Sequence, residues 1–328
     1  MKVVILAGGF GQRLLPITTN IPKPLLPIAN RAAIEHLLLH LISLGFNEFI
    51  IQLHYMSQAI IEKINAMNLM GVSINYIIEE KSLGSAGCLQ LSKRYLEDTF
   101  LLVNGDILFD GDIRGAIHQH MENNQQFSML VKQVDKCESY GNVKVKNGQI
   151  IEFIEKPQLG KEISSLVNTG IYIVNADLLK YIPENSYFDI SKDFIPLLLR
   201  EKIVLNAGEL DGYWIDYGTP RRFAKLNVDW IEEKLNLPIP AVQILPRIFL
   251  GEHVRIKNNV KIVSPVIIGN DVTIEENCII GPYVSISSNI IINKGSILHH
   301  QAVFQKYTLN QQNIFTKNTI KKLSKEMQ

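Results

Sequence analysis

The sequence predicts an α/β protein in two parts. Residues 1–237 are expected to form a domain with a doubly wound, mostly parallel sheet, and residues 238–328 to contain a short parallel β-helix. Three observations carry this prediction: an apolar run at residues 3–7 that ends in glycines, strand patterns that alternate with helical patterns, and an aliphatic residue at every sixth position from 250 to 298. Pro238 and Pro240 mark the linker between the two parts.

The first apolar run predicts a strand buried on both faces of a parallel sheet. The glycines that follow would let backbone N–H groups approach a phosphate without a Cβ in the way, and they are Gly8, Gly9 and Gly11. Arg13 and Lys23 add positive charge, and the prolines on both sides of Lys23 stiffen its backbone. A stiff loop of this composition suits the polyphosphate of a nucleotide.

Three other interpretations apply to a glycine loop of this kind. A P-loop needs Gly-Lys followed by Ser or Thr, which is absent here. A dinucleotide fingerprint needs a third glycine near Arg13 and an acid at the end of the second strand, where His54 and Tyr55 stand instead. A plain glycine turn between strand and helix is common, but the attached Arg13 and Pro-Lys-Pro favour a phosphate loop.

The next elements alternate in type, which predicts a doubly wound sheet. They are a helix at 32–44, a strand at 49–53, a helix at 58–67, a strand at 73–78 and, after the loop at 83–89, a strand at 100–106. Ligands of such sheets gather beyond the carboxyl ends of the strands. Gly8, Glu79 and Asp106 all fall at such ends, so one cleft is expected to hold them.

Composition limits the class of protein. With 328 residues, 46% hydrophobic and 20% charged residues, the chain is expected to be globular, and a net charge of +1 argues against a general nucleic-acid binder. Cys88, Cys137 and Cys278 are few and odd in number, which indicates reduced cysteines and a cytoplasmic location. No targeting segment is expected before the first strand, and no stretch approaches the ~20 apolar residues of a membrane helix.

The aliphatic residues from 250 to 298 recur through nine hexads, and a second row of small residues lies four places further on. Strict six-residue periodicity predicts a parallel β-helix in which each short strand buries one residue against the coil above. The pattern resembles the left-handed hexapeptide β-helix, with about three coils of three hexads. Cys278 occupies the second row and is therefore expected in the core. Residues 304–328 are expected to form a capping helix or a frayed end.

The N-terminal motifs resemble the signature of the sugar-phosphate nucleotidylyltransferases: Gly-Gly-x-Gly-x-Arg-Leu-x-Pro-x-Thr from Gly8, then Pro-Lys-Pro-Leu-Leu-Pro from Pro22. Gln12 and Leu15 depart from residues that are frequent in that family. The resemblance implies a Rossmann-like nucleotidyltransferase domain. It also implies the family's reaction, in which a nucleoside triphosphate joins a sugar 1-phosphate and pyrophosphate leaves.

The resemblance also implies roles for individual residues. The catalytic cations are Arg13, Lys23 and Lys156. The nucleotide-binding residues are Leu6, Ala7, Gly8, Gly9, Gly11, Glu79, Gly84, Ser85 and Asn104. The sugar-phosphate-binding residues are Gly141, Glu155, Lys156, Asn168 and Trp214. The ligands of Mg²⁺ are Asp106 and Asp216, which suits a hard cation that prefers carboxylate and phosphate oxygens.

Residues 83–87, Leu-Gly-Ser-Ala-Gly, are expected to begin a helix. Gly84 and Gly87 would either leave backbone donors open for a base or ribose, or allow close packing of the helix. The loop resembles the nucleoside-recognition loop of guanylyltransferases, which implies GTP and mannose 1-phosphate as substrates. A heptose with GTP, or glucose with UTP or dTTP, remains open.

Other interpretations apply to the remaining motifs. Glu155 and Lys156 could be an exposed charge pair, and Asp106 and Asp216 could be helix caps or surface residues. An acyltransferase with His299 and His300, or a non-catalytic regulatory subunit that binds a nucleotide sugar, are alternative functions. Neither nucleic acid nor a membrane is an expected partner. A homo-oligomer formed through the β-helix is expected.

Overall fold

The structure is a computed structural model, and it describes residues 1–304, 307–310, 315–317 and 321–322. The chain divides into two compact units, whose segments alternate along the sequence. Unit 1 comprises Met1–Gly9, Leu38–Ile107 and Gly111–Trp214, and unit 2 comprises Phe10–Leu37, Leu108–Asp110 and Ile215–Gln328. These units follow contacts rather than the order of the sequence, so the boundary near residue 237 stays a prediction.

The strands of the first 216 residues are β1 (Val3–Leu6), β2 (Pro27–Ile28), β3 (Arg31–Ala32), β4 (Glu48–Leu53), β5 (Ser73–Ile78), β6 (Thr99–Asn104), β7 (Ile107–Phe109), β8 (Phe127–Gln133), β9 (Gly141–Lys146), β10 (Gln149–Glu155), β11 (Leu166–Asn175), β12 (Leu205–Glu209) and β13 (Trp214–Asp216). The helices are α1 (Ala33–Ser43), α2 (Ser57–Asn65), α3 (Gly84–Gly87), α4 (Leu89–Ser92), α5 (Arg114–Glu122), α6 (Ile195–Arg200) and α7 (Pro220–Ile231). Tight helical turns lie at Gln12–Leu14, Ile17–Thr19, Lys23–Leu25, Lys93–Tyr95, Ala176–Tyr181 and Ile190–Phe194. Within the described part of the chain, none of the helices has the length and apolar character needed to cross a membrane.

Unit 1 is built on a nine-stranded sheet with the order β5-β4-β1-β6-β11-β8-β12-β10-β9. The first four strands are parallel, but β11 runs antiparallel to β6 and to β8, and β10 runs antiparallel to β9 and β12. β12 runs parallel to β8, so seven of the nine strands point in one direction and only β10 and β11 are reversed. The strand directions therefore agree with the prediction of a mostly parallel sheet, to which the structure adds two reversed strands. The physical reason lies in the connections: helices link the first parallel strands, whereas β9 and β10 are joined by a two-residue hairpin, which forces antiparallel pairing.

The carboxyl ends of the parallel strands are aligned, as the sequence predicts. Val3, Val4 and Ile5 are fully buried in β1, which confirms a strand covered on both faces. Leu6 is paired with Gln52 of β4 and with Asn104 of β6, and β4 and β5 end together at Leu53 and Ile78. The residues that directly follow these strands therefore meet at one edge of the sheet.

The C-terminal part of unit 2 contains the hexad region, which we define as residues 248–304. Its strands are β14 (Val242–Leu245), which precedes it, then β15 (Ile248–Leu250), β16 (Arg255–Ile256), β17 (Lys261–Ile262), β18 (Val266–Ile268), β19 (Thr273–Ile274), β20 (Ile279–Ile280), β21 (Val284–Ile286), β22 (Ile290–Ile292), β23 (Ile297–Leu298) and β24 (Gln301–Phe304). Each strand from β15 to β20 pairs in parallel with the strand 18 residues further on, in three separate sheets.

Two rows of side chains fill the core of the hexad region. The first contains Ile268, Ile274, Ile280, Ile286 and Ile292, and the second contains Val266, Val272, Cys278, Val284 and Ile290, all at most 1% exposed. The stacked parallel strands and the core position of Cys278 confirm those predictions. The left-handed sense of the coil stays a prediction.

The tail after residue 304 is described only in part. The described residues form β25 (Tyr307–Asn310), β26 (Phe315–Lys317) and β27 (Lys321–Lys322), and β24, β25 and β26 pair antiparallel in that order. A capping helix is therefore wrong for these residues. The remainder of the predicted tail, including a frayed end, lies outside the described residues.

His36 is a buried titratable group in unit 2. Its side chain is 3% exposed, and its ring centroid lies 4.3 Å from that of Trp230. His36 Nε2 donates to the carbonyl of Ile28 at 2.8 Å, which requires a protonated Nε2 and leaves Nδ1 without a proton in the neutral ring. Burial lowers the pKa of His36 from 6.5 to about 3.

We expect stability to fall at acid pH because unfolding lets His36 bind a proton. The folded pKa lies below the unfolded pKa, so the contribution of the neutral ring is present above pH 6.5 and is lost as pH falls toward 3. Between pH 7 and pH 5 the loss should be about 2 kcal/mol. Chemical denaturation of the wild type and of His36→Gln, which keeps a donor but cannot titrate, measures this difference. An equal pH dependence in the two proteins would contradict the prediction.

Candidate functional site

The last glycine of the predicted phosphate loop, Gly11, is one that the backbone requires. Gly11 has φ +63°, in the left-handed region, and an ideal Cβ there would lie 2.9 Å from Thr18 Cγ2. The Gly11 carbonyl accepts a hydrogen bond from Thr18 Oγ1 at 3.0 Å. The loop thus folds back on itself directly after Gly11, and this turn places Arg13 in the helical turn Gln12–Leu14.

Three cationic side chains of unit 2 surround the carboxylate of Asp216. Arg222 Nη1 lies 3.0 Å from Oδ2, Lys23 Nζ lies 3.6 Å from Oδ1, and Arg13 Nη2 lies 4.0 Å from Oδ2. Lys23 is buried, and its Nζ lies 4.9 Å from the centroid of the Tyr217 ring. Three cations that converge on one carboxylate form an arrangement that suits a multiply charged anion.

Gly218 leaves space at the centre of this group. An ideal Cβ on Gly218 would lie 2.8 Å from Arg13 Nη2, 2.8 Å from Lys23 Nζ and 2.7 Å from Asp216 Oδ1. Its backbone N–H donates to Asp216 Oδ1 at 2.8 Å. The cationic groups therefore converge on a point that only a residue without a side chain leaves open.

The chemistry of Asp216 is compatible with the predicted Mg²⁺. Its two oxygens accept hydrogen bonds from Gly218 N and Arg222 Nη1, and a carboxylate has about four lone-pair positions, so capacity for a cation remains. Asp106, the other predicted ligand, belongs to unit 1 and is half-buried in the turn that follows β6. Among the described residues, no group of three or more His, Cys, Asp or Glu side chains could hold a metal. The magnesium site stays a prediction.

In unit 1, Glu79 lies beside Gly8 at the aligned strand ends. Glu79 is buried, Leu83 N donates to its Oε2 at 2.9 Å, and an ideal Cβ on Gly8 would lie 3.3 Å from its Oε1. Burial raises the pKa of the Glu79 carboxyl, against the Leu83 hydrogen bond and the charge of His54, which lower it. The carboxylate is thus fixed as a hydrogen-bond acceptor next to the first glycine of the loop.

The predicted nucleoside loop at residues 83–87 is packed rather than open. Ala86 N and Gly87 N both donate to the carbonyl of Phe188 at 2.9 Å, so the prediction of open donors is wrong for these two groups. An ideal Cβ on Gly84 or on Gly87 would lie 2.6 Å from a backbone oxygen, that of Phe188 or Ser186. Both glycines therefore serve the close contact of α3 with the segment before residue 190.

Ser85 belongs to the same contact. Its Oγ donates to Asp189 Oδ2 at 2.9 Å and accepts from Ile190 N at 2.8 Å. These bonds tie α3 to a segment about a hundred residues away in sequence. The nucleotide-binding roles of Gly84 and Ser85 stay predictions.

The predicted sugar-phosphate residues gather in unit 1 at the end of β10. Glu155 pairs with Gly141 across β9 and β10, and an ideal Cβ on Gly141 would lie 2.9 Å from Glu155 Oε2. Lys156 Nζ lies 3.0 Å from Glu155 Oε1. Lys156 has φ +49°, and its N–H donates to the carbonyl of Tyr140 at 3.1 Å. A left-handed lysine held by such a bond is a strained feature of the kind that clusters at functional sites.

A bulge in β11 creates further contacts among the predicted sugar-phosphate residues. The register shifts between Asn168 and Tyr172, which frees the carbonyl of Thr169 to accept from Trp214 Nε1 at 2.9 Å. Asn168 Nδ2 donates to the Tyr172 hydroxyl at 2.7 Å. The Trp214 ring centroid lies 5.3 Å from that of Tyr140. The structure thus brings the predicted sugar-phosphate residues together and adds Tyr140 to them.

The other predicted nucleotide-binding residues lie at or near the carboxyl ends of β1 and β6. Leu6 ends β1, Ala7 N donates to the Gln52 carbonyl at 2.9 Å, and Gly9 is exposed. Asn104 ends β6 beside Gly170, which has φ +80° and whose ideal Cβ would lie 2.5 Å from Asn104 Nδ2. Their contacts with a nucleotide stay predictions.

Comparison with known proteins identifies the family. The family described as Nucleotidyl transferase matches residues 2–233, which include all the predicted site residues. The chain belongs to the nucleotidyl transferase family. The resemblance seen in the glycine loop and in the Pro-Lys-Pro motif is thereby confirmed.

Two curated relatives and one solved structure show what this nucleotidyl transferase is similar to. It is 32% identical over 322 residues to the UTP–glucose-1-phosphate uridylyltransferase of Synechocystis sp., covering 93% of this chain and 83% of that protein. It is 34% identical over 228 residues to the mannose-1-phosphate guanylyltransferase catalytic subunit beta of Dictyostelium discoideum, covering 68% and 62%. The crystal structure of HddC from Yersinia pseudotuberculosis complexed with GMP-PN has a TM-score of 0.61 and 27% identity, covering 70% and 99%.

Sequence reasoning missed three side chains of this nucleotidyl transferase: Arg222, Tyr217 and Tyr140. A signal existed for Arg222, because Thr219 accepts from Arg222 N as the N-cap of α7 and Pro220 follows it, which places Arg222 in the first turn after Asp216. Tyr217 and Tyr140 gave no such signal. Their roles depend on contacts with Lys23 and Trp214 that only the fold creates.

Gly218→Ala should disrupt the cationic group without unfolding the protein. The added Cβ meets the ends of three side chains rather than backbone, so Arg13 and Lys23 must move apart while the chain keeps its course. A displacement of about 1 Å at such groups can reduce turnover about 100-fold. Nucleotidyl transfer measured at saturating substrate should show this loss.

Gly115→Ala in α5 is the matched control. An ideal Cβ on Gly115 meets nothing within 4 Å, and Ala is a better helix former than Gly. The control should keep full activity and equal or higher stability. Full activity in Gly218→Ala would show that the cationic group does not act in the reaction.

Proposed function

We propose that this protein joins a nucleoside triphosphate to a sugar 1-phosphate, releases pyrophosphate and forms a nucleotide sugar, with GTP and mannose 1-phosphate as the preferred substrates. The observation that carries the proposal is the convergence of Arg13, Lys23 and Arg222 on Asp216 and Gly218, within a chain of the nucleotidyl transferase family. A convergence of cations of this kind suits the triphosphate and the pyrophosphate that leaves.

The reaction is a displacement at the α-phosphorus of the nucleotide. An oxygen of the sugar 1-phosphate forms the new bond to phosphorus, the bond between that phosphorus and the bridging oxygen breaks, and pyrophosphate takes the electron pair. The second pKa of a phosphate monoester is about 6, so the nucleophile is largely dianionic at neutral pH and needs no general base. The barrier to overcome is repulsion between anions, which alignment and charge neutralisation reduce.

The residues divide this work. Arg13, Lys23 and Arg222 hold and neutralise the triphosphate, while Lys156 pairs with the phosphate of the incoming sugar and Glu155 accepts from its hydroxyl groups. Mg²⁺, for which Asp106 and Asp216 are the proposed ligands, supplies further neutralisation of phosphate charge when bound. The burial of Lys23 supports its role, because a desolvated cation interacts more strongly with phosphate than an exposed one.

UTP and glucose 1-phosphate form the second candidate pair. A specific observation favours them: the match with the uridylyltransferase of Synechocystis sp. extends over 93% of this chain, whereas matches with mannose-1-phosphate guanylyltransferases cover 68% to 82% of it. The packed donors of α3 also weaken the loop at residues 83–87 as a criterion for guanine, since Ala86 N and Gly87 N are both occupied by Phe188.

A substrate panel tests the proposal. The protein is incubated with each nucleoside triphosphate and a set of sugar 1-phosphates, with Mg²⁺ or with a chelator, and released pyrophosphate is measured. We expect release only when both substrates and Mg²⁺ are present, fastest with GTP and mannose 1-phosphate. Release with UTP and glucose 1-phosphate alone would establish the second pair. Nucleotide-sugar binding without release in any combination would indicate a regulatory subunit instead.

Lys156→Ala should mainly weaken the use of the sugar 1-phosphate. Loss of a charge-assisted contact with phosphate is expected to raise the KM for this substrate roughly 10- to 100-fold, while the KM for the nucleotide stays nearly unchanged. Steady-state kinetics with each substrate varied in turn measures the two constants. A change confined to the nucleotide would contradict the assigned role.

Lys202→Ala controls for the backbone in that experiment. Lys202 is exposed and has φ +59°, close to the +49° of Lys156, so both substitutions place Ala in the left-handed region. Any cost of backbone strain is therefore the same in the two variants. Only the variant at Lys156 should alter the kinetics.

Several further properties belong to the same proposal. The hexad region is proposed to wind as a left-handed β-helix and to mediate a homo-oligomer, and the protein is proposed to act in the cytoplasm. The 18-residue repeat of the parallel strands supports a coil of three hexads per turn. Sedimentation at several protein concentrations tests self-association.

A further inference from the structure

A tight hairpin follows the Lys23 turn and connects it to the hexad region. Strands β2 and β3 are joined by Ala29 and Asn30 alone, and both residues have positive φ, +43° and +69°. A two-residue hairpin with a type I′ turn requires a left-handed backbone at both loop residues. The hairpin begins at Pro27, two residues after the turn Lys23–Leu25 ends.

The amide of Asn30 makes hydrogen bonds with three segments of unit 2. Nδ2 donates to the Pro240 carbonyl at 3.1 Å and to Asn270 Oδ1 at 2.9 Å. Oδ1 accepts from Asn270 N at 3.1 Å and from Ser288 Oγ. All four hydrogen-bonding positions of the amide are therefore used. One bond goes to the linker after α7, two go to Asn270 and one goes to Ser288 on the next coil of the hexad region.

The hexad region has space for this side chain. An ideal Cβ on Gly269 would lie 2.5 Å from Asn30 Oδ1, so only glycine allows the amide to enter at that position. A second contact supports the helix that carries Arg222, since Phe223 lies edge-on to Phe304 with ring centroids 5.6 Å apart. Both cation-bearing segments, the Lys23 loop and α7, thus rest on the hexad region.

We propose that Asn30 is a positioning residue through which the hexad region fixes the Lys23 loop for binding of the triphosphate. The inference rests on the proposed function, since it assigns Lys23 to the nucleotide. The chain between Lys23 and Asn30 is short and hydrogen-bonded, with Leu26 N donating to Lys23 O at 3.1 Å. A displaced hairpin would therefore displace Lys23 Nζ relative to Asp216. The hexad region then acts in the reaction through Asn30 as well as being a folded extension of the chain.

Asn30→Gly tests the proposal, because glycine keeps the left-handed turn and removes only the amide. We expect kcat/KM for the nucleoside triphosphate to fall about 10-fold, mainly through KM, while the KM for the sugar 1-phosphate changes less than about twofold. Ser288→Ala removes one of the four bonds from the side of the hexad region. It should lower kcat/KM for the nucleoside triphosphate by about two- to threefold. Equal losses for both substrates would indicate general damage and would overturn the assignment.

Asn259→Gly is the matched control. Asn259 has φ +58°, and its Nδ2 donates to Asn277 Oδ1 at 3.2 Å on the neighbouring coil, so the substitution removes the same kind of bond at the same kind of backbone position. Both of these side chains lie on the exposed surface of the coil rather than against the Lys23 loop. The control should keep the wild-type KM for the nucleotide.

Hydrogen exchange of the backbone provides a readout that does not depend on activity. Asn30→Gly should accelerate exchange of the amides of Leu25 and Leu26 relative to both the wild type and Asn259→Gly. If the wild type releases no pyrophosphate but this acceleration occurs, the proposed function fails and the anchoring stands. If the wild type is active and neither exchange nor the nucleotide KM responds to Asn30→Gly, the inference fails and the proposed function stands.

Discussion

The ion pairs of Asp216 are the interactions on which the cationic group of unit 2 depends. Arg13, Lys23 and Arg222 would repel one another if they converged on a common point without a negative partner. Asp216 reduces that repulsion at 3.0 to 4.0 Å from the three cations. The ion pairs therefore hold the three cationic groups close together, as the proposed binding of a polyphosphate requires. Removing Asp216 would take one carboxylate away from the buried Lys23, a change that is costly in itself.

The glycines of the chain serve different physical purposes, although a sequence shows them alike. Gly11 is required by its left-handed backbone, Gly218 by the side chains that converge on it, and Gly84 and Gly87 by the close approach of another backbone segment. Only the first two belong to the cationic group. A glycine-rich motif therefore identifies places of close approach, and the partner in that approach decides whether it is a ligand site or a packing contact.

Local patterns allowed much of this structure to be predicted. Local hydrophobic patterns predict the buried strand β1, the strand Ser73–Ile78 and the two inward rows of the hexad region. The convergence on Asp216 could be anticipated only through the family resemblance, and Arg222 was missed although its N-cap is local. The pairing of the reversed strand β11 with β6, the contact of α3 with Phe188 and the bonds of Asn30 join residues far apart in sequence. Such pairings leave no periodic signal, so no pattern within one segment could reveal them.

The bonds of Asn30 also bear on why a β-sheet coil should accompany a nucleotide-binding chain. A coil of stacked parallel strands repeats its backbone position every 18 residues, so its turns form a row of fixed donors and acceptors. Asn270 and Ser288 stand in one such row and meet a single amide from the hairpin after Lys23. A flexible partner would have to lose conformational entropy each time it held the loop, whereas a coil that is already ordered holds it without that cost. The hexad region is suited to this task by its regularity, independently of any ligand that it might itself bind.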